Sequence, residues 1–184
     1  MTDEARFEAL RARLGELHGR SHALARQLGD LDLGELRGPA DLALIPVLRK
    51  STIAAMQAAQ PPFGALAVAP TSAFPRLFAS PGGIYEPESA DRDPWGAAKA
   101  LAVAGVAAGE IVVKLPGMLV NDELIVEIVT PGSDEPAAPG KVGEVVVTRL
   151  QGDYPLLRFA TGDLSAWAPP RPPQRLDGAR GSVG

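Results

Sequence analysis

The sequence predicts an α/β fold in which amino-terminal helices with short strands lead into a late antiparallel β portion. Three observations support this: a helical period near the start, Gly/Pro punctuation through the first half, and a change to β-rich runs beyond Ile111. The apolar residues Phe7, Leu10, Leu14, Leu17, Leu24 and Leu28 recur every three or four positions over residues 5–28, with one turn skipped at Ser21. That stripe predicts a single surface helix. Gly15 and Gly19 each weaken it by about 1 kcal/mol relative to alanine, so it needs a tertiary partner.

Residues 30–48 read as a Gly/Pro-punctuated connector, after which Ser51 caps a short helix through Gln60 that Pro61-Pro62 stops. Residues 63–85 read as short strands broken by turns, among them Arg76-Leu77-Phe78-Ala79 before the turn Ser80-Pro81-Gly82-Gly83. Asp93-Pro94 then opens a helix in the favoured way, cap followed by proline, and Gly109 stops it after Ala107. The runs at 124–129 and 144–149 are β-rich, and the Pro/Gly-rich residues between them predict a hairpin with a long exposed connection. A third strand is expected at 154–159, with Pro155 holding its start at an edge and Thr161-Gly162-Asp163 forming a turn after it. From Pro169 the chain is rich in Pro, Arg and Gly and predicts no packed element.

At 184 residues, 46% hydrophobic and 22% charged, the chain can close one core or two small ones. It has no cysteine, which excludes a disulfide framework, a thiolate metal site and a cysteine nucleophile. A net charge of -4 leaves no electrostatic footprint for nucleic acid. The start carries both signs of charge, unlike a signal peptide, and the longest apolar runs, 42–48 and 100–108, fall far short of the ~20 residues that span a bilayer. A cytoplasmic protein with no membrane segment is expected. His18 and His22 lie one helical turn apart but lack a third ligand, so a solvated helix face outweighs a metal site. Glu123 and Glu127 share a strand face with no apolar pocket to make an acid of either, and no nucleophile elbow accompanies the two histidines.

Several strings, read in order, point to one family. They are Leu44-Ile45-Pro46-Val47-Leu48-Arg49-Lys50-Ser51, Pro61-Pro62-Phe63-Gly64, and Arg76-Leu77-Phe78-Ala79-Ser80-Pro81-Gly82-Gly83-Ile84-Tyr85-Glu86-Pro87. Downstream come Ala108-Gly109-Glu110-Ile111-Val112, Gly143-Glu144-Val145-Val146-Val147-Thr148 and above all Tyr154-Pro155-Leu156-Leu157-Arg158-Phe159-Ala160-Thr161-Gly162-Asp163-Leu164. Together they resemble the phenylacetate-CoA ligase branch of the adenylate-forming, AMP-binding superfamily, from Leu44 to Leu164. The resemblance implies a partial adenylating-domain fold that joins a carboxylic acid to ATP as an acyl-adenylate and passes the acyl group to coenzyme A. ATP or AMP, Mg2+ and coenzyme A are the implied cofactors and the acid the implied small-molecule partner. Such transfers need cations and a phosphate cradle more than a protein nucleophile.

By the same resemblance Asp163 accepts hydrogen bonds from the ribose hydroxyls, which suits a carboxylate with two acceptor oxygens. Phe159, Thr161 and Gly162 shape the nucleotide wall, Arg158 opposes phosphate charge, and the turn from Ser80 offers phosphate the backbone N–H groups of Gly82 and Gly83, although turn chemistry favours a purely structural turn there. That turn departs from the family in lacking the hydroxyl run and the lysine, and Glu86 repels phosphate. After Lys114 the chain passes directly to a segment that resembles the one before the late hairpin, so the middle of the domain is expected to be missing. The mobile domain with its catalytic lysine is likewise expected to be absent. Residues 1–114 then read as the first portion of an AMP-binding-like domain, 115–168 as its late β portion, and 169–184 as an irregular tail resembling the start of the hinge. Two functions stay open: an incomplete acyl-CoA ligase, or a non-catalytic remnant or interaction module with weak or no nucleotide binding.

Overall fold

The computed structural model of the chain describes residues 3–80, 83–90 and 124–167. Two helices come first, α1 (Asp3–His18) and α2 (His22–Leu28). The predicted stripe is buried, with Leu14 and Leu17 wholly enclosed, but the single helix expected over 5–28 divides at residues 19–21. Ser21 is the cause. Its buried Oγ accepts the Leu24 N–H at 3.3 Å and shares its own proton between the Ala65 and Leu66 carbonyls at 3.2 Å. A serine that caps a new helix competes with continuation of the old one, and the preceding Gly19 resists little. The skipped turn in the apolar stripe coincides with this break.

Within the connector two 3-10 stretches, Leu33–Glu35 and Pro39–Leu44, are each opened by a carboxylate. Asp32 accepts the Gly34 N–H, and Asp41 accepts those of Arg37 and Gly38, all at 2.8 Å. Helix α3 (Lys50–Ala59) begins earlier than a Ser51 cap allows: Arg49 is its N-cap and no side chain caps it. Pro61-Pro62 follow its end as expected. Gly64 then folds back on the last turn of α3 with φ +63, and a Cβ there would stand 2.7 Å from Met56 Cβ, so only glycine fits.

Strands β1 (Arg76–Ser80) and β2 (Ile84–Glu88) form an antiparallel hairpin, Arg76 opposite Glu88 and Ser80 opposite Ile84. The helix predicted at 93–107, the segment through 123 and the tail from 169 lie outside the described residues. Strands β3 (Ile125–Val129), β4 (Gly143–Arg149) and β5 (Leu156–Ser165) make an antiparallel sheet in the order β3-β4-β5. The predicted hairpin, its long connection and the edge position of the third strand are all present. Strand β5 is longer than predicted, though, and runs past Phe159 to Ser165, so Thr161-Gly162-Asp163 is strand and not a turn beyond one. Two register shifts interrupt the pairing with β4, one at 157–158 and one at 161–163, where the motif lies.

One core cluster joins the α1 and α2 stripe to Leu36, Leu42, Ile45, Leu150 and Leu157, which fastens the helices to the β4–β5 end of the sheet. A second, built from Ala23, Leu48, Ile53, Leu66 and Ile84, fastens α3 to the β1–β2 hairpin. Each fully buried leucine or isoleucine contributes roughly 1.5–3 kcal/mol. Among the described residues no helix is long and apolar enough to cross a membrane.

Candidate functional site

The site is assembled where a short parallel bridge joins the connector to the outer edge of β5. Leu48 donates its N–H to Arg158 O at 2.8 Å and accepts the Ala160 N–H at 3.0 Å, which sets the following residues beside the far half of β5. Helix α3 starts there. The Lys50 side chain lies along Gly162, its Nζ 3.7 Å from the point a Cβ on that glycine would occupy. Gly162 has φ +83, a conformation glycine adopts at no steric cost. Thr161 Oγ1 donates to Val145 O at 3.2 Å and accepts the Asp163 N–H at 3.2 Å, so the backbone is fixed while Asp163 is presented to solvent. An exposed lysine thus lies along the glycine that precedes an exposed aspartate in the strand.

Arg158 is placed differently from the sequence expectation. It is fully buried at φ +45, a left-handed backbone that costs an L-residue about 1–2 kcal/mol. Its guanidinium donates to Glu127 Oε2 through Nε at 3.1 Å, to Asp134 O through Nη2 at 2.9 Å, and to Ile45 O through Nη1. Nη2 also pairs with Glu127 Oε1 at 3.0 Å. Its N–H goes to Thr148 Oγ1 at 2.9 Å. Enclosed this way, the side chain meets no phosphate; it ties β3, the 130–142 connection and residue 45 to β5. Arg49 reinforces the same connection from its surface, donating to Glu144 Oε2 at 2.6 Å and Ser133 O at 2.8 Å.

At the β1–β2 turn, Gly83 has φ +75 and donates its N–H to Ser80 O at 3.1 Å, while Ser80 Oγ donates to Ile84 O at 3.4 Å. Both polar groups are used within the hairpin, so neither is free for phosphate as the sequence suggests. Gly82 lies outside the described residues. The hairpin is held against α3 by Gln57, a buried amide that pairs like a strand residue with Tyr85: Nε2 donates to Tyr85 O and Oε1 accepts the Tyr85 N–H, both at 2.8 Å.

A cavity of about 240 Å3 lies between β2 and the β4–β5 face, lined by Ile53, Ile84, Glu86, Tyr154, Phe159 and Thr161 among others. It brings Phe159 and Thr161 together; Asp163, Gly162 and Lys50 lie beyond its wall on the β5 edge. Tyr154 packs edge-to-face on Phe63, with centroids 5.8 Å apart. Its pKa is pushed up to about 12, chiefly by burial; a bond from Gln57 Nε2 at 3.4 Å opposes the rise and the charge of Glu86 adds to it. The phenol therefore stays a neutral donor. Sequence reasoning missed Lys50, Gln57 and Tyr154 as site residues, although Lys50 and Tyr154 stand inside the strings quoted above. No local spacing links either of them to residues so far along the chain.

Among the described residues no three His, Cys, Asp or Glu side chains gather to hold a metal.

The fold is similar to that of 2-hydroxyisobutyryl-CoA ligase over part of that enzyme's length. Among the similar solved structures, an open conformation of 2-hydroxyisobutyryl-CoA ligase in complex with 2-HIB-AMP and CoA matches with a TM-score of 0.68 at 15% identity, over 90% of this chain and 65% of that one. The same ligase in the postadenylation state with R3-HIB-AMP matches at 0.66 and 13% identity, over 91% and 64%. In the thioesterification state with 2-HIB-AMP and CoA it matches at 0.64 and 14% identity, over 91% and 65%. The chain thus spans about 65% of the length of these ligases. No protein-family model matches the chain, and no curated protein matches it.

Proposed function

We propose that this chain is the nucleotide-holding part of an acyl-CoA ligase of the phenylacetate-CoA ligase type, which activates a carboxylic acid with ATP as an acyl-adenylate and passes the acyl group to coenzyme A. Residues 1–114 and 115–168 would be two stretches of one adenylating domain. The observation that carries the reading is the approach of the Lys50 side chain to Gly162, the residue before the exposed Asp163 in β5. A carboxylate accepts from the two ribose hydroxyls while the ammonium opposes the phosphate beside them, which one edge can do for one nucleotide. Lys50 thereby takes the role that the sequence assigned to Arg158. Titration calorimetry with AMP tests this: wild type should bind, and Asp163→Ala should weaken binding at least tenfold. No heat in wild type would remove the nucleotide site.

A non-catalytic chain is favoured by one observation, the β1–β2 turn, whose Gly83 N–H and Ser80 Oγ are both spent within the hairpin. Exchange of labelled pyrophosphate into ATP in the presence of aryl or short-chain acids separates the two. Exchange marks an adenylating enzyme, while AMP binding without exchange marks a nucleotide-binding module.

A further inference from the structure

The hairpin of β1 and β2 is a two-stranded sheet of its own, separate from β3-β4-β5. A lone pair of strands is marginal in water, so what lies along its two edges matters. The edge of β2 is closed: Gln57 takes both main-chain groups of Tyr85, and Pro87, the next residue facing that way, has no N–H. Because the main-chain groups of Tyr85 face away from β1, those of its cross-strand partner Ala79 face away from β2, as do those of Leu77 opposite Pro87. Leu77 and Ala79 thus present two N–H and two C=O groups along the outer edge of β1, and none of the four has a partner among the described residues. The common guards against a further strand are missing. Strand β1 has no lysine, proline or bulge, and Arg76, its one charge, is spent on Glu88 within the hairpin, with Nη2 2.9 Å from Oε1. Leu77, Phe78 and Tyr85 remain 46%, 45% and 47% exposed.

We propose that β1 pairs antiparallel with β1 of a second copy of this chain, across a two-fold axis at Phe78, to make one four-stranded sheet. The edge is its own complement. With Phe78 opposite Phe78, Leu77 of each copy meets Ala79 of the other, and the free groups of both copies are consumed in four hydrogen bonds. An axis at Leu77 or Ala79 would instead set the other of these residues against Pro75 or Pro81, which have no N–H to give. On one face the small Ala79 leaves room for Tyr85 to approach Leu77 of the second copy; on the other the two Phe78 rings meet at the axis. No like charges come opposite each other, since Arg76 faces Ser80. A five-residue strand makes an interface below the standard size, so the dimer is weak and concentration-dependent. Leu77, Phe78 and Ala79 take no part in the nucleotide reading, so each idea stands without the other.

The chain has no cysteine, so single cysteines report the register. Across the axis the two Cα atoms at Phe78 would be ~4.5 Å apart, within the ~4.4–6.8 Å of disulfides, whereas Leu77 lies diagonal to its own copy at about 7–8 Å. Mild oxidation should convert most of Phe78→Cys to a covalent dimer and leave Leu77→Cys monomeric on a denaturing gel. Sedimentation velocity on the wild-type chain should show a concentration-dependent dimer. Ala79→Pro removes two of the four hydrogen bonds but spares the hairpin ladder, since that N–H faces outward. Checked for an unchanged melting profile, it should raise the dimer dissociation constant at least about tenfold. A wild type that stays monomeric at every concentration would overturn the proposal, whether the Leu77 and Ala79 amides then exchange freely or are shielded by another part of the same chain. So would cross-linking of Leu77→Cys that equals that of Phe78→Cys, or a dimer untouched by Ala79→Pro.

Discussion

An arginine with no exposed surface and a left-handed backbone is held by the fold at some expense, and Arg158 shows where the sheet depends on one side chain. Replacing it with methionine leaves Glu127 and two carbonyls short of a donor, so Arg158→Met should cost about 3–5 kcal/mol in urea unfolding. Lys50→Ala, at an exposed position, should change stability by less than about 0.5 kcal/mol yet weaken ATP binding roughly tenfold at low salt. That contrast separates the structural cation from the binding one. Tyr154 makes a second residue-level prediction. Its folded pKa of about 12 lies above the unfolded value of 10.0, so in alkali the unfolded chain loses the proton first. Stability from this group is complete below pH 10 and is lost as pH rises toward 12, by on the order of 2 kcal/mol. Urea midpoints at pH 9 and 11 should diverge in wild type and converge in Tyr154→Phe.

Among the elements, the break between α1 and α2 rests on a single hydroxyl. Ser21→Ala removes the α2 cap and strips the Ala65 and Leu66 carbonyls of their donor, so it should cost about 1–3 kcal/mol by thermal unfolding. The β1–β2 hairpin rests on Gln57 in the same way. Gln57→Leu should speed hydrogen exchange at the Tyr85 amide while the β3–β4 amides keep their protection, because the sheet has its own ladder. The elements that the sequence reveals are those with a local cause: the apolar stripe, the Pro61-Pro62 stop and the two late β-rich runs. What it hides has partners supplied from afar. Ser21 reads as a skipped position until residues 65 and 66 are in place, and β5 reads as ending at Phe159 because Gly162 looks like a turn residue. Arg158 reads as a free cation because nothing nearby in sequence announces Glu127 or Asp134. The Lys50–Gly162 approach is hidden for the same reason, since it follows from one bridge between Leu48 and Phe159.

For the whole molecule, the connector and the start of α3 meet the edge of β5, where the Lys50 side chain lies along Gly162 and the next residue, Asp163, is exposed. Asp163 is presented by the extended β5, whose backbone is fixed there through Thr161 and Val145. The central claim is that this edge holds an adenylate. Amide hydrogen exchange with and without saturating AMP tests it most directly. Protection should rise over residues 161–165 and at the start of α3 and stay unchanged at the β1–β2 turn; unchanged exchange along β5, or protection confined to the turn, would contradict it.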